Sequence, residues 1–167
     1  MPSVEVLNQL PAPAAREALG PCCSSTQWVD AVVAGRPYAG IDALLDASDA
    51  AVTALAEQDL AEALAGHPRI GDRVAGWSSQ EQSGVASADC DLRQALAEGN
   101  AAYERRFGHI YLACATGRNG DELLTFLHDR LGNDPAAEWR VVAAELAKIN
   151  RIRLNKLVGE AGSGGLA

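Results

Sequence analysis

The segment from Asp134 to about Val158 constrains this chain most, because it spells one long amphipathic helix with a marked start. Asp134 is a good N-cap, and Pro135 fits the first helical position, where a missing N–H is no loss and a fixed φ suits the helix. Trp139, Val142, Leu146, Ile149 and Leu157 then recur at three- and four-residue steps. That spacing gathers apolar side chains on one face, and the face must be covered by other elements. The 167 residues suit one domain with a real core.

The rest of the chain offers covering elements of the same kind. Apolar residues fall at helical spacing over 4–10, 13–19, 26–34, 41–45, 51–55 and 59–64, with Gly or Pro punctuation between several of these runs. Residues 79–86 read as a short helix. Residues 89–107 read as a longer one, with Leu92, Leu96, Tyr103 and Phe107 along one side. Asn100 falls on that same side, which predicts a bond to backbone or ligand rather than to water. Residues 121–131 present Leu123, Leu124, Leu127 and Leu131 inward. Residues 110–115 fit a buried strand or a buried helical turn, and periodicity does not separate the two. Period-two alternation is otherwise rare. The expectation is an all-α, single-domain bundle of about eight helices over residues 1–158, with 159–167 a flexible C-terminal tail.

Composition narrows the partners. Lys and Arg number 14 against 22 Asp and Glu, a net charge of −8, which argues against nucleic acid. An anionic substrate would need a local cation to oppose that general repulsion. No apolar run approaches the ~20 residues of a membrane-spanning helix, and residues 1–19 lack the pattern of a signal peptide. A cytoplasmic protein without membrane contact is expected. Cys22, Cys23, Cys90 and Cys114 show no Cys-x-x-Cys spacing, so reduced thiols are the default. His67, His109 and His128 have no ligand partner at helical spacing, and no metal site is expected.

Three features carry possible chemistry, each with a plain structural reading beside it. His67 precedes Pro68, which pushes it out of helical geometry into a stiff corner. Its ordinary pKa of about 6.5 suits proton transfer near neutrality, yet it also suits a loop histidine satisfied by backbone. Ser78-x-x-Glu81 matches a capping box, although Gln80 and Gln82 around the glutamate exceed what a cap requires. Arg153 falls in the middle of the last helix's apolar stripe. It either snorkels to water or faces a carboxylate or anionic ligand, since burying an unpaired guanidinium is expensive.

Four blocks occur in order: His67-Pro68-Arg69-Ile70-Gly71, Ser78-x-x-Glu81-Gln82, Asn100-x-x-Tyr103-x-x-x-Phe107-Gly108, and Lys148-Ile149-x-x-x-Arg153-Leu154. In this the chain resembles the 2-oxo-4-hydroxy-4-carboxy-5-ureidoimidazoline (OHCU) decarboxylases, which complete the conversion of urate to (S)-allantoin. The resemblance covers residues 6–157. It implies an all-helical homodimer acting on a small-molecule substrate with no metal or organic cofactor. It also implies His67 as catalytic acid/base, with Pro68, Ser78, Glu81, Gln82 and Phe107 contacting substrate and Glu81 orienting the imidazole or the substrate hydroxyl. Arg153 would bind the substrate's anionic or carbonyl groups. Backbone after the Phe107-Gly108 turn would line the pocket through Ile110, Tyr111, Leu112, Ala113, Cys114 and Ala115. Here Phe107-Gly108-His109-Ile110-Tyr111 departs from the commoner Phe-Gly-Phe-x-Phe. Two rival readings are an acid–base enzyme acting on a related ureido or hydroxy-acid compound, and a non-enzymatic helical interaction module.

Overall fold

The computed structural model describes residues 3–72, 77–86 and 89–159, and among them every regular element is a helix. The order is α1 (Val4–Gln9), α2 (Ala12–Leu19), α3 (Thr26–Ala34), α4 (Ile41–Thr53), α5 (Glu57–Ala65), α6 (Trp77–Glu81), α7 (Ser83–Ala86), α8 (Cys90–Phe107), α9 (Gly120–Leu131) and α10 (Pro135–Gly159). The all-α class expected from the sequence is the class observed, in ten segments where about eight were anticipated. The expected tail from residue 160 onward lies outside the described residues. No helix among the described residues is long and apolar enough to cross a membrane.

The chain divides into two compact units, one of residues 1–63 and 147–167, the other Leu64–Leu146. In the first unit α3 forms where the spacing predicts, starting at Ser25, whose hydroxyl accepts from Trp28 N at 3.3 Å. The helix buries Trp28, Val29, Val32 and Val33. The Trp28 indole donates to Ser48 Oγ of α4 at 3.2 Å, so the buried indole N–H finds an acceptor. The run at 41–45 and residues 51–53 of the run at 51–55 lie in one helix, which ends at Thr53. Asp46, Ser48 and Asp49 between them interrupt the apolar pattern, but no Gly or Pro breaks the backbone. Arg36 reaches the carbonyls of Leu7 and Leu10 at 2.7 and 2.6 Å and satisfies the open end of α1.

In the second unit α8 packs against α9. Leu96 and Tyr103 from α8, with Leu123 and Leu127 from α9, form one buried cluster with Ile70, Val85, Tyr111, Ala113 and Ala115. Residues 110–115 are neither the strand nor the helical turn that periodicity allowed. They run irregularly, sending the odd-numbered side chains into this cluster.

Beside the cluster lies a buried polar knot. Arg130 is 2 % exposed and Glu138 is fully buried. Arg130 Nε donates to Glu138 Oε1 at 2.7 Å, and the Tyr103 hydroxyl donates to the same oxygen. The guanidinium carbon also sits 4.9 Å from the ring centres of both Tyr111 and Phe126. A cation so deep is tolerable only with this complete set of partners.

Candidate active site

α5 ends at Ala65, and the turn after it is closed by His67 N–H donating to Leu64 O at 3.0 Å. Pro68 then forbids further helix. The His67 ring is half-buried, with Nε2 turned away from solvent. The loop that follows ends at Gly71, whose φ of 94° is a left-handed conformation that glycine adopts without strain.

Three side chains hold this loop. Gln82 Oε1 accepts from Gly71 N at 2.9 Å, and its Nε2 donates to Arg69 O at 3.4 Å. Asn100 Nδ2 on α8 donates to Ile70 O at 2.9 Å, as its place on the inward side of that helix predicted. Arg69 pairs with Glu104 at 2.7 Å, a half-exposed bridge of small energetic weight. The His-Pro corner is thus tied directly to the turn that follows Glu81.

Ser78 and Glu81 do not occupy the N-cap and N3 positions that a capping box requires. Ser78 lies inside α6 and Glu81 is its last residue, while Gln82 N donates to Ser78 O at 3.0 Å. The predicted 79–86 helix is split at Gln82, whose side chain serves the His67 loop instead. Glu81 is 8 % exposed. It stands near the Cys114 thiol, which burial pushes above its ordinary pKa, with the carboxylates of Glu145 and Glu81 adding in the same direction. Residues 69–71 are thus joined to Gln82 by hydrogen bonds, and the charge of the neighbouring Glu81 acts on the Cys114 thiol.

The 110–115 segment is pinned by its own backbone. Arg130 Nη1 donates to Leu112 O, Cys114 N donates to Glu145 Oε1 at 3.2 Å, and Arg118 N donates to Ala115 O at 3.0 Å. Glu145, 2 % exposed, also takes Arg118 Nη1 at 3.2 Å. The side chains of Tyr111, Ala113 and Ala115 are spent in the core, so what this segment can offer a ligand is mainly backbone. The Cys114 amide is already committed to Glu145. Phe107 packs its ring 4.6 Å from that of Tyr103 at the end of α8.

Arg153 belongs to the first unit. It is 6 % exposed, so the snorkelling alternative does not hold. Its Nη1 lies 3.5 Å from Cys22 O. Burial pushes the Cys22 thiol up to about 12, against the opposing pull of the Arg153 cation. The Cys23 thiol is likewise raised by burial, opposed by the Ser25 backbone, the Asn150 side chain and Arg153. All four cysteines are free thiols.

The family model for OHCU decarboxylase matches residues 8–155. The chain belongs to the OHCU decarboxylase family. It is 30% identical over 148 residues to the uric acid degradation bifunctional protein TTL of Arabidopsis thaliana, covering 83% of this chain and 46% of that protein. It is 35% identical over 79 residues to the 2-oxo-4-hydroxy-4-carboxy-5-ureidoimidazoline decarboxylase of Amia calva, covering 47% of this chain and 45% of that one. The chain thus spans less than half the length of each of these two relatives. A crystal structure of OHCU decarboxylase in the presence of (S)-allantoin superposes with a TM-score of 0.77 at 29% identity, over 86% of this chain and 98% of that one.

Within this family the departure at His109 proves to be a change of ring. The imidazole lies 4.2 Å from the Trp139 ring and 6.1 Å from that of Phe107, so it packs as an aromatic. Tyr111 keeps an aromatic in the core and sends its hydroxyl to Leu123 O at 3.0 Å. Sequence reasoning passed over Arg130, Glu138, Glu145 and Asn150, all nearly or fully buried. A signal existed for Glu138 and Glu145: positions 138, 142, 145, 149 and 153 lie on one stripe at three- and four-residue steps. Polar residues within an apolar stripe mark either networks or sites.

Proposed function

We propose that this chain is a carboxy-lyase that converts 2-oxo-4-hydroxy-4-carboxy-5-ureidoimidazoline to (S)-allantoin in urate degradation. The observation that carries the reading is the two-handed grip of Gln82 on Gly71 and Arg69. It ties the loop after His67 to the turn after Glu81, which supports reading the imidazole and the buried carboxylate as parts of one site.

The chemistry suits these groups. The substrate carries hydroxyl and carboxylate on one ring carbon, beside an imine carbon. When the bond to the carboxylate breaks, its electron pair moves into the imine, whose nitrogen takes up a proton, and carbon dioxide leaves. The resulting enol collapses to a carbonyl as its hydroxyl gives up a proton and the neighbouring carbon takes one up on a single face. The imine is the electron sink, so the step as written calls on no further cofactor.

His67 takes the hydroxyl contact and moves the proton, with Glu81 orienting the imidazole or the hydroxyl. Ser78, Gln82 and Pro68 shape the surroundings of the reacting carbon. Arg153 takes the substrate's anionic or carbonyl groups, supplying the cation that an overall acidic protein needs. In the 110–115 segment, amides other than that of Cys114 face the substrate. The resemblance also supports a homodimer, and we place its work in the cytoplasm.

The test is circular dichroism of product formed from freshly generated intermediate, with wild type, with His67→Ala, and without protein. Wild type is expected to speed formation of one enantiomer, and His67→Ala to lose ~10²–10⁴-fold in turnover while folding normally. Turnover unchanged in His67→Ala removes the imidazole from the mechanism. Racemic product at the spontaneous rate with wild type removes the activity.

A further inference from the structure

Asn150 is fully buried on α10, and neither its Oδ1 nor its Nδ2 has a hydrogen-bond partner. Other asparagines of the first unit behave differently. Asn8 uses both ends of its amide on the Tyr38 backbone, at 2.9 and 2.8 Å. Asn155, one turn further along the same helix and exposed, folds back onto Arg151 O at 3.0 Å. The Asn150 amide acts on the Cys23 thiol beside it, lowering the thiol pKa as a hydrogen-bonding neighbour does, but sulfur is a weak partner that leaves most of the amide's capacity unused. A buried carboxamide left so is destabilising in general, which a structural role alone does not explain.

Its position gives the reason. Asn150 precedes Arg153 by three residues, and side chains three apart on a helix are neighbours. The carboxamide thus lies one step from the guanidinium assigned to the substrate. A carboxamide presents one donor and one acceptor side by side. The edge that matches it is an N–H next to a C=O, which the substrate carries in its ring and again in its ureido arm. We propose that Asn150 is a further substrate-binding residue, its Nδ2 donating to a carbonyl and its Oδ1 accepting from the adjacent N–H of such an edge. This rests on the decarboxylase reading and names the group that Arg153's neighbour recognises.

The test uses the full chain with Asn150→Leu, which keeps the volume and removes both polar ends, and Asn150→Ala as a second variant. Both are expected to raise KM about 10- to 100-fold, the loss of two hydrogen bonds, with a smaller fall in kcat. Asn150→Leu should also melt no lower than wild type, because an unsatisfied buried amide has been removed. Inhibition by allantoin and by hydantoin, which lacks the ureido arm, then locates the edge. Weakened inhibition by both points to the ring, and weakened inhibition by allantoin alone points to the ureido arm. KM within twofold of wild type in a folded variant overturns the inference while the activity stands. A wild type that neither turns over the intermediate nor binds allantoin overturns both.

Discussion

Replacing Arg130 by methionine tests whether the buried knot of the second unit holds both the fold and the site. Arg130 is 2 % exposed and Glu138 is not exposed at all. Arg130→Met leaves the Glu138 carboxylate buried without its cation, still held by the Tyr103 hydroxyl and by Asn133 Nδ2 at 3.0 Å. Removing one partner of a buried pair costs about 3–5 kcal/mol. At ~2–4 °C per kcal/mol for a chain of this size, the melting temperature should fall by roughly 6–20 °C. Glu138→Gln in the same background removes the orphaned charge but keeps an acceptor for Tyr103. The double variant should therefore recover at least half of the lost stability, a coupling that a double-mutant cycle in urea reads directly. Leu112 O, however, still lacks the Arg130 donor in the double variant. KM for the intermediate should remain several-fold raised although stability has returned. Two results refute the reasoning: Arg130→Met within about 1 kcal/mol of wild type, or a double variant no more stable than the sum of the two singles.

Two further expectations are quickly checked. A homodimer predicts sedimentation at twice the 17.4 kDa chain mass at micromolar concentration, and a 17.4 kDa species there removes the dimer. A thiol reagent at pH 8 should modify exposed Cys90 rapidly and Cys22, Cys23 and Cys114 only after unfolding. Burial raises the pKa of all three, so less of each is present as the reactive thiolate. Fast modification of more than one thiol in the folded protein contradicts this.

The helices were legible wherever the backbone itself was punctuated. Thr26–Ala34 starts at a serine cap and stops at Gly35, and the structure reproduces those bounds. Asp134 caps α10 through its carboxylate, which accepts from Ala137 N at 2.9 Å. Where polarity alone suggested a break, as at Asp46, Ser48 and Asp49, the helix continued, because only Gly and Pro penalise its interior strongly. Residues 79–86 failed for a tertiary reason. Gln82 leaves the helical pattern to bond a loop eleven residues earlier in the chain, and nothing within 79–86 announces that.

The supports of the candidate site were not legible in the sequence, and α10 shows why. Periodicity places Glu138, Glu145, Asn150 and Arg153 on or beside its apolar face, but a helical wheel cannot say what lies opposite each. The carboxylate of Glu138 answers Arg130, and that of Glu145 answers the Cys114 amide and Arg118. Both are therefore explained as scaffolding for the polypeptide around residues 110–115. Buried polar groups persist when a partner repays their desolvation. By that criterion Glu138 and Glu145 are accounted for within the protein. Asn150 is not, because the Cys23 thiol beside it is a weak partner for an amide, and the partner proposed for it is one that arrives with the ligand.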